Sequence, residues 1–175
     1  LISRGAKRAR TIVACIDYSD VSEEVMRQAI DLANFEDAQL EVIHAVIPPQ
    51  NYVTGMGVPG FEQFGSVGFD PEVLGKIRRD EEHQLEQFVE RFEPELKGRS
   101  VVSHVVDGPT IAYAIVQLVS NTKDPLLVIG THGRKGIRDF FLGTTADRLL
   151  HEIKCSALLV RGPIDPTSIQ PYQAT

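Results

Sequence analysis

Residues 126–145, LLVIGTHGRKGIRDFFLGTT, carry a short apolar run, a glycine that ends it and, thirteen residues on, a second glycine that opens a helical pattern. Leu126, Leu127, Val128 and Ile129 suit a strand buried on both faces of a parallel sheet. Gly130 and Gly133 let the backbone turn sharply and approach a ligand with no Cβ in the way. After Gly143-Thr144-Thr145 come Ala146, Leu149, Leu150 and Ile153, at the spacing of one helix face. A helix is therefore expected from Gly143 or Thr144. Its first backbone N–H groups lack intrahelical acceptors and sit at the positive end of the helix dipole, an arrangement that suits phosphate oxygens.

The same patterns, followed outward, predict strands at residues 11–16, 40–46, 101–106 and 157–160. Between them, a helix is expected from Val21, with Asp20 and Glu23 as its capping box and Met26, Ala29, Ile30 and Ala33 facing inward. A charged helix should run from Pro71 to about Lys97 with Leu85, Phe88, Val89 and Phe92 inward. Another should follow Asp107-Gly108-Pro109, with Pro109 in its first turn and Ala112, Ile115, Val116 and Val119 inward. The fourth helix spans 144–153, and Thr144 reads as its N-cap with Asp147 three residues on.

Strands alternating with helices imply right-handed crossovers and a parallel sheet covered on both faces. The fold class is a single doubly wound α/β domain, Rossmann-like, over residues 11–162, with five strands in the order 3-2-1-4-5. Ligands of such sheets bind at the carboxyl ends of the strands where the order reverses. Here that point lies between the first and fourth strands and brings Asp17 beside Gly130. Residues 48–70, rich in glycine, proline and aromatics, read as a long irregular loop. Residues 1–10 form a basic tail and 163–175 an aperiodic one. The chain opens at Leu1, which leaves room for residues upstream.

Composition narrows the partners. A net charge of −6 over 175 residues argues against a general nucleic-acid or anionic-membrane binder. The 42% apolar content is ordinary for a globular protein, no run reaches membrane-span length, and no signal-peptide pattern precedes the first strand. The two cysteines, Cys15 and Cys155, adjoin apolar runs and suggest buried thiols in a reducing compartment. A cytoplasmic protein is expected.

The spacing Gly130-x2-Gly133-x9-Gly143-Thr144, the acidic Asp17 ending the first strand, Ile43-His44-Ala45 on the second, the Gly108-Pro109 turn and the final LLV strand together resemble the universal stress protein family in its nucleotide-binding branch. The resemblance covers roughly Thr11 to Gly162. It implies an ATP-binding, usually dimeric, cytoplasmic protein of stress responses. By position, it assigns Asp17 to the ribose or to the space beneath the adenine, with the backbone near Ala45 and Ile129 lining the adenine. It gives Gly130 and Gly133 to the ribose and phosphates, and Gly143, Thr144 and Thr145 to the phosphate chain. Cys15 and Tyr18, flanking Asp17, depart from the residues expected there and bear on the shape of the adenine end.

Plainer readings compete. Three glycines could simply make tight turns, although their spacing between a strand and a helix favours a site. Arg134, Lys135 and Arg138 could screen phosphate charge or only meet solvent, and His132 reads as a loop or hinge histidine. Gly55-x-Gly57-x-x-Gly60 matches a dinucleotide fingerprint as a string, but no helical pattern follows it. No Walker lysine is present. Asp80, Glu81, Glu82 and His83 read as the solvated face of their helix, and no metal site is expected beyond Mg²⁺ arriving with ATP.

With no recognisable base or activated nucleophile, the expected function is regulatory adenine-nucleotide binding, by ATP or else AMP, ADP or cyclic AMP. The alternatives are a slow ATPase or phosphotransferase using Asp17, His132 or Thr144, and an interaction module that has lost its nucleotide. Homodimerisation through the last strand, residues 157–160, is expected from the resemblance and from that strand's apolar edge. The protein partner is not specified by the sequence.

Overall fold

The computed structural model describes residues 10–48, 70–131 and 143–162. Five strands, β1 (Thr11–Ile16), β2 (Gln39–Val46), β3 (Val101–Asp107), β4 (Pro125–Gly130) and β5 (Ser156–Val160), form one sheet in the order β3-β2-β1-β4-β5. All four pairings are parallel, as the alternation of elements requires. The helices are α1 (Ser22–Glu36), α2 (Pro71–Glu90), α3 (Glu93–Leu96), α4 (Ile111–Asn121) and α5 (Thr144–Glu152).

Because side chains alternate along a strand, each central strand feeds two cores. Ile12, Ala14 and Ile16 of β1 pack with Val25, Met26 and Ala29 of α1 and with Leu85 and Phe88 of α2. Val13 of β1 and Leu127 and Ile129 of β4 pack with Ala112, Ile115 and Val119 of α4 and with Ala146 and Leu149 of α5. Val13, Val42, Leu127 and Val128 are fully buried, so the continuous apolar runs are explained by burial on both faces.

Local details differ from the sequence patterns where tertiary contacts intervene. The long helix stops at Glu90, and after Phe92 the chain enters the short α3. Pro94 is the cause: it lacks an N–H, and its ring clashes with the carbonyl four residues earlier, that of Glu90. No side chain caps α1, whose N-cap is Val21. The Asp20–Glu23 capping box does not form because Glu23 is drawn to Arg91 of α2 and to Arg27, the latter at 3.2 Å.

Pro109 lies outside α4. Its cap is Thr110, whose hydroxyl accepts from the Tyr113 N–H at 3.1 Å. Gly108 is needed just before it, since a Cβ there would lie 2.9 Å from the Tyr113 ring and 3.3 Å from the Ala114 nitrogen. Leu150, about 100° round α5 from buried Leu149, is exposed rather than inward.

The loop expected over 48–70 falls, but for its two end residues, outside the described residues. So do the tails 1–9 and 163–175, the 55–60 glycine string, His132, Gly133, Arg134, Lys135 and Arg138.

Candidate functional site

The strand order reverses between β1 and β4: β1 continues to β2 on one side, and β4 to β5 on the other. In the ladder Cys15 sits opposite Ile129, so Asp17 emerges beside Gly130 and Thr131 at the carboxyl edge. Cys15, Ala45 and Ile129 share the face covered by α4 and α5, with Cys15 and Ala45 half-buried and Ile129 buried. These three residues therefore share one face of the sheet beside Asp17 at its carboxyl edge, although 30 and 114 positions of chain separate Ala45 and Ile129 from Cys15.

The β1–α1 turn is built on the Asp17 carboxylate. Its Oδ1 accepts from the Ser19 N–H at 3.0 Å, the Ser19 hydroxyl at 2.5 Å and the Ser22 hydroxyl at 2.9 Å. The Ser22 hydroxyl oxygen in turn accepts from the Asp17 N–H at 3.2 Å. One carboxylate thus serves three donors and orients the start of α1, the Asx-type turn that short polar side chains favour. Ser19 and Ser22 escaped sequence reasoning, although the D-x-S-x-x-S spacing carried the signal.

On the other side of the crevice, the N-terminus of α5 is tied to the end of β4. The Gly143 N–H donates to the Thr131 carbonyl and the Thr131 N–H to the Val160 carbonyl, both at 2.8 Å. Gly143, not Thr144, is the N-cap, and no side chain caps the helix. The reason is the backbone: Gly143 supplies the first helical acceptor, to the Asp147 N–H at 2.9 Å, which places Thr144 inside the first turn. The Gly143 N–H is committed to Thr131. The amides of Thr144, Thr145 and Ala146 form the first turn, where the helix itself supplies no acceptor. Thr144 is exposed and Thr145 half-buried in that turn. Buried Thr131 is the third residue missed; its place in the GTHG element gave no hint of the clasp.

His44 is buried, its Nδ1 lies 2.7 Å from the Ile16 carbonyl, and its Nε2 is 3.6 Å from the Glu81 carboxylate. Glu81 accordingly leaves the solvated group of Asp80, Glu82 and His83.

Burial holds the Cys15 thiol far above its ordinary range, and the negative charges of Asp17 and of Cys155 push the same way. Only a thiolate is an effective nucleophile. At pH 8, native protein treated with a thiol reagent should modify Cys15 far more slowly than the same protein unfolded in guanidinium. Equal rates, read by peptide mass spectrometry, would show an accessible, ionised thiol. Among the described residues, no three His, Cys, Asp or Glu side chains gather as a metal-binding set, and no helix is long and apolar enough to cross a membrane.

Known proteins resemble this chain along most of its length. The universal stress protein MJ0531 of Methanocaldococcus jannaschii is 26% identical over 163 residues, covering 93% of this chain and 88% of that protein. A solved universal stress protein in complex with cAMP shares the fold with a TM-score of 0.60 at 21% identity, over 88% of this chain and 98% of that one. The universal stress protein from Archaeoglobus fulgidus in complex with dAMP does so with a TM-score of 0.54 at 16% identity, over 89% and 99%. The family model described as the universal stress protein family matches residues 8–161, and on that match the chain belongs to this family.

Proposed function

We propose that this chain is a regulatory adenine-nucleotide-binding protein whose site lies in the crevice between β1 and β4. The observation that carries the reading is the clasp of Gly143 onto Thr131, which sets the open first turn of α5 against the carboxyl end of β4, one strand from Asp17. The first-turn amides and the hydroxyls of Thr144 and Thr145 then take the phosphates. Gly130 and Gly133 give the sugar and phosphates room, and the Asp17 carboxylate accepts from the ribose hydroxyls. Cys15, Ala45 and Ile129 line the base. The cAMP and dAMP bound by two proteins of similar fold support an adenine nucleotide.

ATP is the nucleotide proposed, with Mg²⁺ held by its phosphates and water rather than by a protein ligand set. Binding acts by favouring one conformation, which in turn controls a partner in the stress response. The protein works in the cytoplasm as a homodimer through β5, a free edge of the sheet, with Leu159 on that strand and Leu150 on α5 exposed. Titration calorimetry of nucleotide-stripped protein with ATP, ADP, AMP and cAMP tests the reading. Saturable binding to the wild type, lost in Gly130→Val, supports it; no binding, or binding indifferent to that substitution, overturns it. ATP turnover above that of Gly130→Val would move the reading to a slow ATPase.

A further inference from the structure

Asp17 stands between two residues that the same side chain holds. On one side, the carbonyl of Ile16, the last residue of β1, lies 2.7 Å from Nδ1 of His44. A carbonyl oxygen can only accept, so Nδ1 carries a hydrogen whatever the state of Nε2. On the other side, the Tyr18 ring lies against the His44 ring with centroids 4.4 Å apart and planes at 34°. Tyr18 is in the left-handed region at φ 59°, a conformation that a bulky side chain adopts only when its surroundings hold it there. The edge of Phe88 from α2, 5.9 Å away, closes over Tyr18.

The far end of the imidazole reaches α2. Nε2 is 3.6 Å from Oε2 of Glu81, and Arg78, one helical turn earlier on α2, reaches Asp107 and the Val105 carbonyl on β3, both at 3.3 Å. α2 is thus pinned across the carboxyl ends of β2 and β3, with its carboxylate aimed at the ring that holds the β1–α1 turn.

We infer that His44 is a positioning residue for the nucleotide site: it fixes the backbone on both sides of Asp17, and Glu81 sets the orientation of the ring, so the docking of α2 governs affinity in the crevice. This rests on the proposed nucleotide reading. It adds a residue that touches no nucleotide and an element, α2, through which a partner could tune binding.

The test compares His44→Leu, His44→Asn and Glu81→Gln with wild type. Asn keeps an N–H donor near the place of Nδ1, whereas Leu fills the space without one. His44→Leu should weaken adenine-nucleotide binding about tenfold, the scale of one lost hydrogen bond and a loosened turn. His44→Asn should restore most of that loss. Glu81→Gln should weaken binding about threefold, as expected for a single weak ion pair, with thermal unfolding unchanged.

In unliganded protein, nitrogen NMR should show the His44 proton on Nδ1, and the Ser19 amide should exchange faster in His44→Leu than in wild type. Wild-type affinity in His44→Leu, an Asn variant as weak as the Leu variant, or an Nδ1 without a proton overturns the inference and leaves nucleotide binding standing. Failure of the wild type itself to bind nucleotide overturns the functional reading; the Nδ1 proton and the Ser19 exchange then still decide whether His44 positions the turn.

Discussion

Replacing Asp17 with alanine should cost about 2–3 kcal/mol of folding stability, a large effect for a residue that is only half-buried. Its Oδ1 is the acceptor for the Ser19 N–H, the Ser19 hydroxyl and the hydroxyl of Ser22, and Ser22 is 2% exposed. Removing the carboxylate strands a buried donor at the start of α1, and that cost exceeds the value of a hydrogen bond lost to water. Asp17→Asn separates this structural role from ligand binding. The asparagine retains Oδ1 and should fold within about 1 kcal/mol of wild type, yet it loses the negative charge offered to ribose hydroxyls. Nucleotide affinity should then fall about tenfold, since hydrogen bonds to a charged acceptor are the stronger kind. Urea unfolding and calorimetry on the two variants decide the matter: an Asn variant that binds like wild type would confine Asp17 to the turn.

The second large effect is expected far from any ligand atom. Leu149→Ala should cost about 3 kcal/mol, because Leu149 is fully buried against the face formed by Val13, Leu127 and Ile129, and the truncation leaves a cavity. α5 has nine residues, and only Ala146 and Leu149 of them are buried. Such a helix is marginal by itself and owes its stability to docking. Loosening it should therefore also weaken phosphate binding, because the clasp from Gly143 to Thr131 places the first-turn amides only while α5 stays docked. Arg148→Ala, at an exposed neighbour, serves as the control and should change stability by less than about 1 kcal/mol. Equal losses in the two variants, by chemical denaturation, would contradict this account of α5.

Both effects bear on how much of the site could be read from the chain. The sheet order was legible because strand patterning is local and topology follows from it: alternating β and α segments with right-handed crossovers leave few sheet orders. The observed one, β3-β2-β1-β4-β5, brings Asp17 and Gly130 together. The inward faces of α1 and α4 were also legible, since helical periodicity is a property of consecutive residues. Capping was not. At α1 and α5 the caps suggested by spacing gave way to Val21 and Gly143, and α4 starts after Thr110 rather than with Pro109 in its first turn. At α1 the acidic cap candidate Glu23 found a stronger partner on α2, and at α5 the backbone clasp to Thr131 set where the helix starts.

By itself, then, the sequence determined the parallel α/β fold, the order of its strands and the meeting of Asp17 with Gly130 at the carboxyl edge, because hydrophobic period and glycine placement act within a few residues. The tertiary structure alone decided how the polar groups at that edge are paired. Asp17 became the centre of a serine-lined turn, the Gly143 N–H was committed to Thr131, and His44 was joined to both Ile16 and Glu81 across 28 and 37 positions of chain. Hydrogen bonds and ion pairs depend on distances of a few tenths of an ångström between distant segments, and no periodicity encodes those distances.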